Sequence, residues 1–123
     1  PGARFAGRGI LTDHRFHIYS RRFASVAGRT GSMVWGGIWE ITHAHLMTLD
    51  RYEGIPSNYY HREVIPVLLA DKAEDTADCE IYFGSDTEDG IPGADYMGAV
   101  LQGARDCGLP EAYVETVLKP WMP

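Results

Sequence analysis

Glu53 is the residue whose position most directly suggests chemistry. The spacing predicts a helix over 42–52. Thr42 is a good N-cap, Ile41 with Leu46 makes a hydrophobic staple, and Leu46 and Leu49 share one face. Gly54 supplies a left-handed end and Pro56 follows it. Glu53 then sits where the helix end already carries partial negative charge, a placement that costs about 0.3–1 kcal/mol. The same field raises a carboxyl pKa, as does burial beside Tyr52 or Ile55. A glutamate with a raised pKa suits general acid–base work near neutral pH. The alternative is an exposed glutamate paired with Arg51 or Arg62. Tyr52, Tyr59, Tyr60, Tyr82 and Tyr96 fall near turns or element ends, where phenols line pockets or pack at the margin of a core.

Other chemistry is poorly served. His43 and His45 lie two apart in the predicted helix and face different ways, so no metal site is expected. Phe83-Gly84-Ser85-Asp86 is too short for a phosphate loop and has no GK[ST]. There is no GxSxG elbow, and Cys107 has no histidine adjacent in sequence.

The elements that must position Glu53 read as follows. Residues 3–11 and 14–20 alternate in polarity, with Asp13-His14 between them, so a hairpin turning at Asp13-His14 is expected. Residues 25–32 read as a loop. Residues 33–40 read as a strand with Gly36-Gly37 inside it, marking a bulge, a close approach to the backbone, or tight packing against a helix. Strands follow over 59–69, with Pro66 suggesting an edge or bulge, and over 79–84. Between them 71–78 is an acidic turn. Met97, Val100, Leu101 and Ala104 define one face of a helix ended by Gly108, and Pro110 opens a last helix. The expected fold is α+β, a small sheet or barrel of antiparallel or mixed strands with flanking helices.

Composition agrees with one folded domain. The chain has 123 residues, 45% hydrophobic and 23% charged, at 13.7 kDa, which leaves room for one core. No apolar run approaches the roughly 20 residues of a bilayer span, and no signal peptide is visible at the start. Two cysteines, Cys79 and Cys107, form no CxxC and no disulfide framework, as for reduced thiols in a cytoplasmic protein. The net charge of -6, from 11 basic and 17 acidic residues, disfavours nonspecific nucleic-acid binding. The excess of arginine is local: Arg4, Arg8, Arg15, Arg21, Arg22 and Arg29 precede residue 30 against a lone Asp13. That is either a solvated strand face or a patch that attracts an anion.

The segment VWGGIWEI…LMTLDRYEGIPSNYYHREVIPV, 34–67, resembles gamma-glutamylcyclotransferase. That family has a VWG strand, a helix ending LDxxEG and a Tyr-containing strand. The likeness continues through Tyr82, Tyr96, Gly103-Ala104 and Gly108-Leu109-Pro110 to about Val117, and runs weakly from Pro1. The resemblance implies a small barrel with flanking helices that turns a γ-glutamyl amide, such as a γ-glutamyl dipeptide, into 5-oxoproline and a free amine. It implies Glu53 as general acid/base. Tyr60 and Tyr96 fall on pocket tyrosines, and Tyr82, Gly36 and Gly37 on substrate-facing positions. No cofactor is implied, because the attack is intramolecular. The family's YGSN-type loop lies upstream of the segment that Pro1 begins, so a single domain over 1–123 is expected to lack its first strand and that loop. The leaving amine could instead come from a γ-glutamylamine or a biosynthetic γ-glutamyl group. A non-catalytic binding domain is the third alternative, since an open barrel exposes a strand edge that pairs with another chain, as in a homodimer.

Overall fold

A computed structural model describes residues 3–72 and 74–123. Pro1 and Gly2, where the weak part of the resemblance begins, and Ala73, in the expected acidic turn, lie outside the described residues. Four antiparallel strands form one sheet: β1 (Arg4–Ile18), β2 (Ala24–Glu40), β3 (Tyr60–Leu69) and β4 (Thr76–Gly84), in the order β2-β1-β3-β4. Helix α1 (His43–Tyr52) joins β2 to β3, and α2 (Ala94–Asp106) follows β4. A last helical segment runs as a short α turn Glu111–Tyr113, a π turn Val114–Leu118 and a 3-10 turn Lys119–Trp121. The α+β class is as expected, and all pairing is antiparallel.

The hairpin expected at Asp13-His14 is not there. β1 runs straight through, and the chain reverses at 19–23, closed by Tyr19 N–H to the Phe23 carbonyl (3.0 Å) and Arg22 N–H to the Tyr19 carbonyl (2.8 Å). Asp13 takes a left-handed conformation (φ 58°) at a register shift between Thr12 and His14. Its carboxylate accepts from Gly31 N–H at 3.0 Å. The polar dipeptide that resembles a turn is therefore a bulge. Residues 25–32, expected as a loop, belong to β2, with 29–32 standing out of register opposite that bulge.

Nor does the sheet close into a barrel. β2 and β4 are its edges. Among the described residues no ladder joins them, and the buried Ser25 hydroxyl accepts from Gly84 N–H at 2.8 Å. The main core lies on the other side, where Met97, Leu101 and Ala104 of α2 pack with Ile18, Leu109, Tyr113, Val114 and Leu118. This is the helical face expected from the sequence, joined by the C-terminal segment. Among the described residues, no helix is long and apolar enough to cross a membrane.

Gly84 allows Tyr19 to lie flat on β4. A Cβ there would sit 2.7 Å from two Tyr19 ring carbons, and the Tyr19 ring is fully buried. Gly84→Ala is expected to cost about 1–3 kcal/mol through overpacking, read as a lower urea midpoint. An unchanged midpoint would show that the ring moves aside freely.

Candidate functional site

Helix α1 begins as expected. The Thr42 hydroxyl accepts from His45 N–H (3.1 Å) and His45 Nδ1 accepts from Thr42 N–H (3.2 Å), a reciprocal cap. Glu53 closes the helix with its own N–H on the Leu49 carbonyl (2.8 Å). Gly54 then turns left-handed (φ 77°). It must be glycine on a second ground, since a Cβ would lie 2.5 Å from the Tyr59 ring.

The one buried residue of α1 is Asp50. Its carboxylate accepts from Arg62 Nε (2.8 Å) and Nη2 (3.0 Å) and from the Tyr82 hydroxyl (2.6 Å). Arg62 also reaches Glu80 at 2.7 Å. These bonds, Arg62's first and Tyr82's second, hold the Asp50 carboxyl below its usual range. Arg62, one of the two partners considered for Glu53 from sequence, is thus committed to Asp50 and Glu80.

Glu53 is half-buried and makes no ion pair among the described residues. Burial pushes its carboxyl pKa up, as the sequence suggested. Its charge is felt by four phenols. Burial is the main cause of the raised pKa of Tyr19, Tyr60, Tyr82 and Tyr96, and the Glu53 charge adds to each. Tyr60 and Tyr82 hold their rings 6.4 Å apart, and Tyr60 and Tyr96 both bond to Ala24, so these three phenols form one group. Tyr19 joins them, with its ring edge-on to Tyr60 at 5.2 Å.

The hydroxyls are not equivalent. Tyr60 donates to the Ala24 carbonyl (2.6 Å), Tyr19 to the Tyr59 carbonyl (2.8 Å) and Tyr82 to Asp50. Tyr96 accepts from Ala24 N–H (2.9 Å), so its own proton remains to be given. Of the group, Tyr96 is the phenol able to donate to a new oxygen.

Gly36 and Gly37 lie elsewhere. They line an apolar cavity of about 940 Å³ that runs across all four strands, with Leu46 and Leu49 of α1 and Ile81 and Tyr82 of β4. Glu53, Tyr60 and Tyr96 are not part of its wall. Gly37 has a packing reason as well, because a Cβ would meet Cys107 Sγ at 2.8 Å. Sequence reasoning missed Tyr19 and Asp50. Tyr19 gives no signal, since it sits in a turn that was placed elsewhere. Asp50 does give one, an acid in the last turn of a helix, where it is unfavourable without a cation.

The fold, an antiparallel sheet with flanking helices, matches that of a solved gamma-glutamyl cyclotransferase at TM-score 0.84. That likeness is at 23% identity over 95% of this chain and 76% of the other. The AIG2-like family model matches residues 33–117. The chain belongs to the AIG2-like family. It is 32% identical over 92 residues to the gamma-glutamylcyclotransferase of Homo sapiens and 28% identical over 92 residues to that of Mus musculus. In both cases the match covers 75% of this chain and 48% of the relative. The chain thus spans about half the length of the curated relatives it matches.

A raised carboxyl pKa means that the folded state holds its proton more tightly than the unfolded state. Stability contributed by that proton is present at acid pH and lost as pH rises from the ordinary glutamate value through the raised one. Glu53→Gln is expected to melt with the parent at acid pH and above it at neutral pH, read by calorimetry across pH. A lower Tm than the parent at neutral pH would contradict the burial account.

Proposed function

We propose that this chain is the Glu53-bearing part of a gamma-glutamylcyclotransferase, acting on a γ-glutamyl amide such as a γ-glutamyl dipeptide. The observation that carries the reading is the half-buried Glu53 carboxylate at the end of α1, unpaired among the described residues, whose charge is felt by four tyrosines. Its family supports the same reading. Glu53 takes a proton from the substrate α-ammonium. The freed amine attacks the γ-carbonyl carbon, forming the ring C–N bond and an oxyanion. The Tyr96 O–H is the donor available to that oxyanion. The oxyanion reforms the carbonyl as the amide C–N bond breaks, its electron pair stays on the leaving nitrogen, and that nitrogen takes the proton from Glu53. The second proton of the ring nitrogen passes by way of the Glu53 carboxylate to the amine, which departs as an ammonium. The products are 5-oxoproline and a free amine. Tyr60 shapes the pocket, and Tyr82 acts through Asp50 rather than through substrate. Bringing amine and carbonyl together supplies much of the rate.

The reading also places a YGSN-type loop and one further strand ahead of Pro1. The unpaired β2 and β4 edges of the sheet are consistent with such a strand. A cytoplasmic setting and a homodimer belong to the same proposal.

In the full-length protein, Glu53→Gln is expected to lower 5-oxoproline release from γ-glutamylalanine by on the order of 10²–10⁴-fold, the usual share of a general acid–base group. Chromatographic assay of 5-oxoproline measures it, with circular dichroism to check the fold. Undiminished release by a folded variant would overturn the mechanism.

A further inference from the structure

We infer that the cavity between the bulged part of the β1–β2 ribbon and the C-terminal turns binds a small organic anion with a flat apolar body. The site is separate from the Glu53 cluster, and the inference does not rest on the cyclotransferase reading.

Two irregularities build the cavity. On the sheet side Thr12 pairs with Met33 and His14 with Gly28, so four residues, 29–32, stand opposite the single Asp13. That extra length carries Arg29 and Ser32 to the cavity wall. On the helical side the chain leaves the α form at Val114 and runs as a π turn to Leu118, and Thr116 and Val117 of that turn face the same space. Bulges and π turns recur beside functional sites, because they re-aim side chains that regular structure would pair or bury. The space is about 530 Å³, within the range of small-molecule sites.

Its charge is one-sided. The wall holds two arginines and no acid, in a chain of net charge -6. Arg15 spends Nη2 on Asp89 at 2.6 Å, and a guanidinium has further N–H groups to give. Arg29 holds no acid among the described residues, whereas Arg4, Arg8 and Arg62 each do. The acids on the neighbouring stretches are taken. Asp13 accepts from Gly31 N–H, and Glu115 lies within ion-pair reach of Lys119 and Arg105. A cationic wall that the protein's own carboxylates leave uncovered suits the anion of a ligand.

The remaining wall sets the body of that ligand. Trp121 stands edge-on to Phe16, with ring centroids 6.4 Å apart, and Met33 adds a polarizable thioether. Such surfaces favour a flat ring. Tyr113 belongs to the same wall and is buried. Its hydroxyl makes no hydrogen bond among the described residues. Burial raises its pKa, and the Trp35 backbone N–H works against that. A donor at that place leaves the phenol proton without an acceptor. A buried polar group of this kind calls for an acceptor from outside the chain, and an oxygen of the ligand or a water held by it is one.

The test compares 2-naphthoate with 2-naphthamide, which share a ring system and differ in charge, by calorimetry on the full-length protein. The parent is expected to bind the acid roughly tenfold more tightly than the amide. Arg29→Gln should bring the ratio near one. Trp121→Leu should weaken both compounds several-fold and keep the ratio. Arg21→Gln removes a cation from over the Tyr59 ring, outside this wall, and should leave both affinities as in the parent. No binding of naphthoate at millimolar concentration, equal binding of the two compounds, a preference that survives Arg29→Gln, or binding untouched by Trp121→Leu overturns the assignment. A preference lost in Arg21→Gln moves the anion away from this cavity and overturns it as well.

Discussion

The Asp50 carboxylate is what fastens α1 to the sheet. No apolar side chain of that helix is buried, and Leu49 and Met47 are exposed. In place of a hydrophobic stripe, the helix offers one acid to two donors on different strands, Arg62 on β3 and Tyr82 on β4. Charge-assisted and bidentate bonds are directional where apolar contact is not. They fix the rotation of the helix as well as its position. Glu53 follows three residues later, on the same face by helical spacing, so the bonds that hold Asp50 also aim Glu53.

The two carboxylates are driven apart by their surroundings. Arg62 and Tyr82 hold the Asp50 proton affinity down, and burial raises that of Glu53. Two carboxyls whose surroundings push their proton affinities apart are the arrangement from which acid–base roles are argued. The phenols around Glu53 continue that division. Three have given their protons to fixed acceptors, and Tyr96 has not. The backbone of Ala24, at the start of β2, orders two of them at once, its carbonyl receiving Tyr60 and its N–H reaching Tyr96.

Much of this was legible in the sequence, and the exceptions have identifiable causes. The α1 cap and the left-handed Gly54 follow from local rules that act within one helix turn, whereas the raised Glu53 pKa comes from burial, the second of the two causes the sequence offered. The face of α2 follows from its period. The reversal at 19–23 was hidden because its residues, Tyr19 through Phe23, are not typical turn formers, whereas Asp13, which is one, makes a bulge. The four-phenol cluster depends on β1, β2, β3 and β4 arriving in one order, and pairings of that range leave no mark in local spacing. Gly36 and Gly37, substrate-facing by resemblance, wall the apolar cavity over the sheet together with Tyr82.

The most direct test is site-specific carbon NMR titration of the Glu53 carboxyl in the full-length protein, with the signal assigned by its loss in Glu53→Gln. A midpoint clearly above the ordinary glutamate value, with Asp50 titrating below its own, is the predicted result. A Glu53 midpoint at or below the ordinary value would mean that the helix end and its phenols do not bury the carboxylate. The acid–base role would then lose its physical basis.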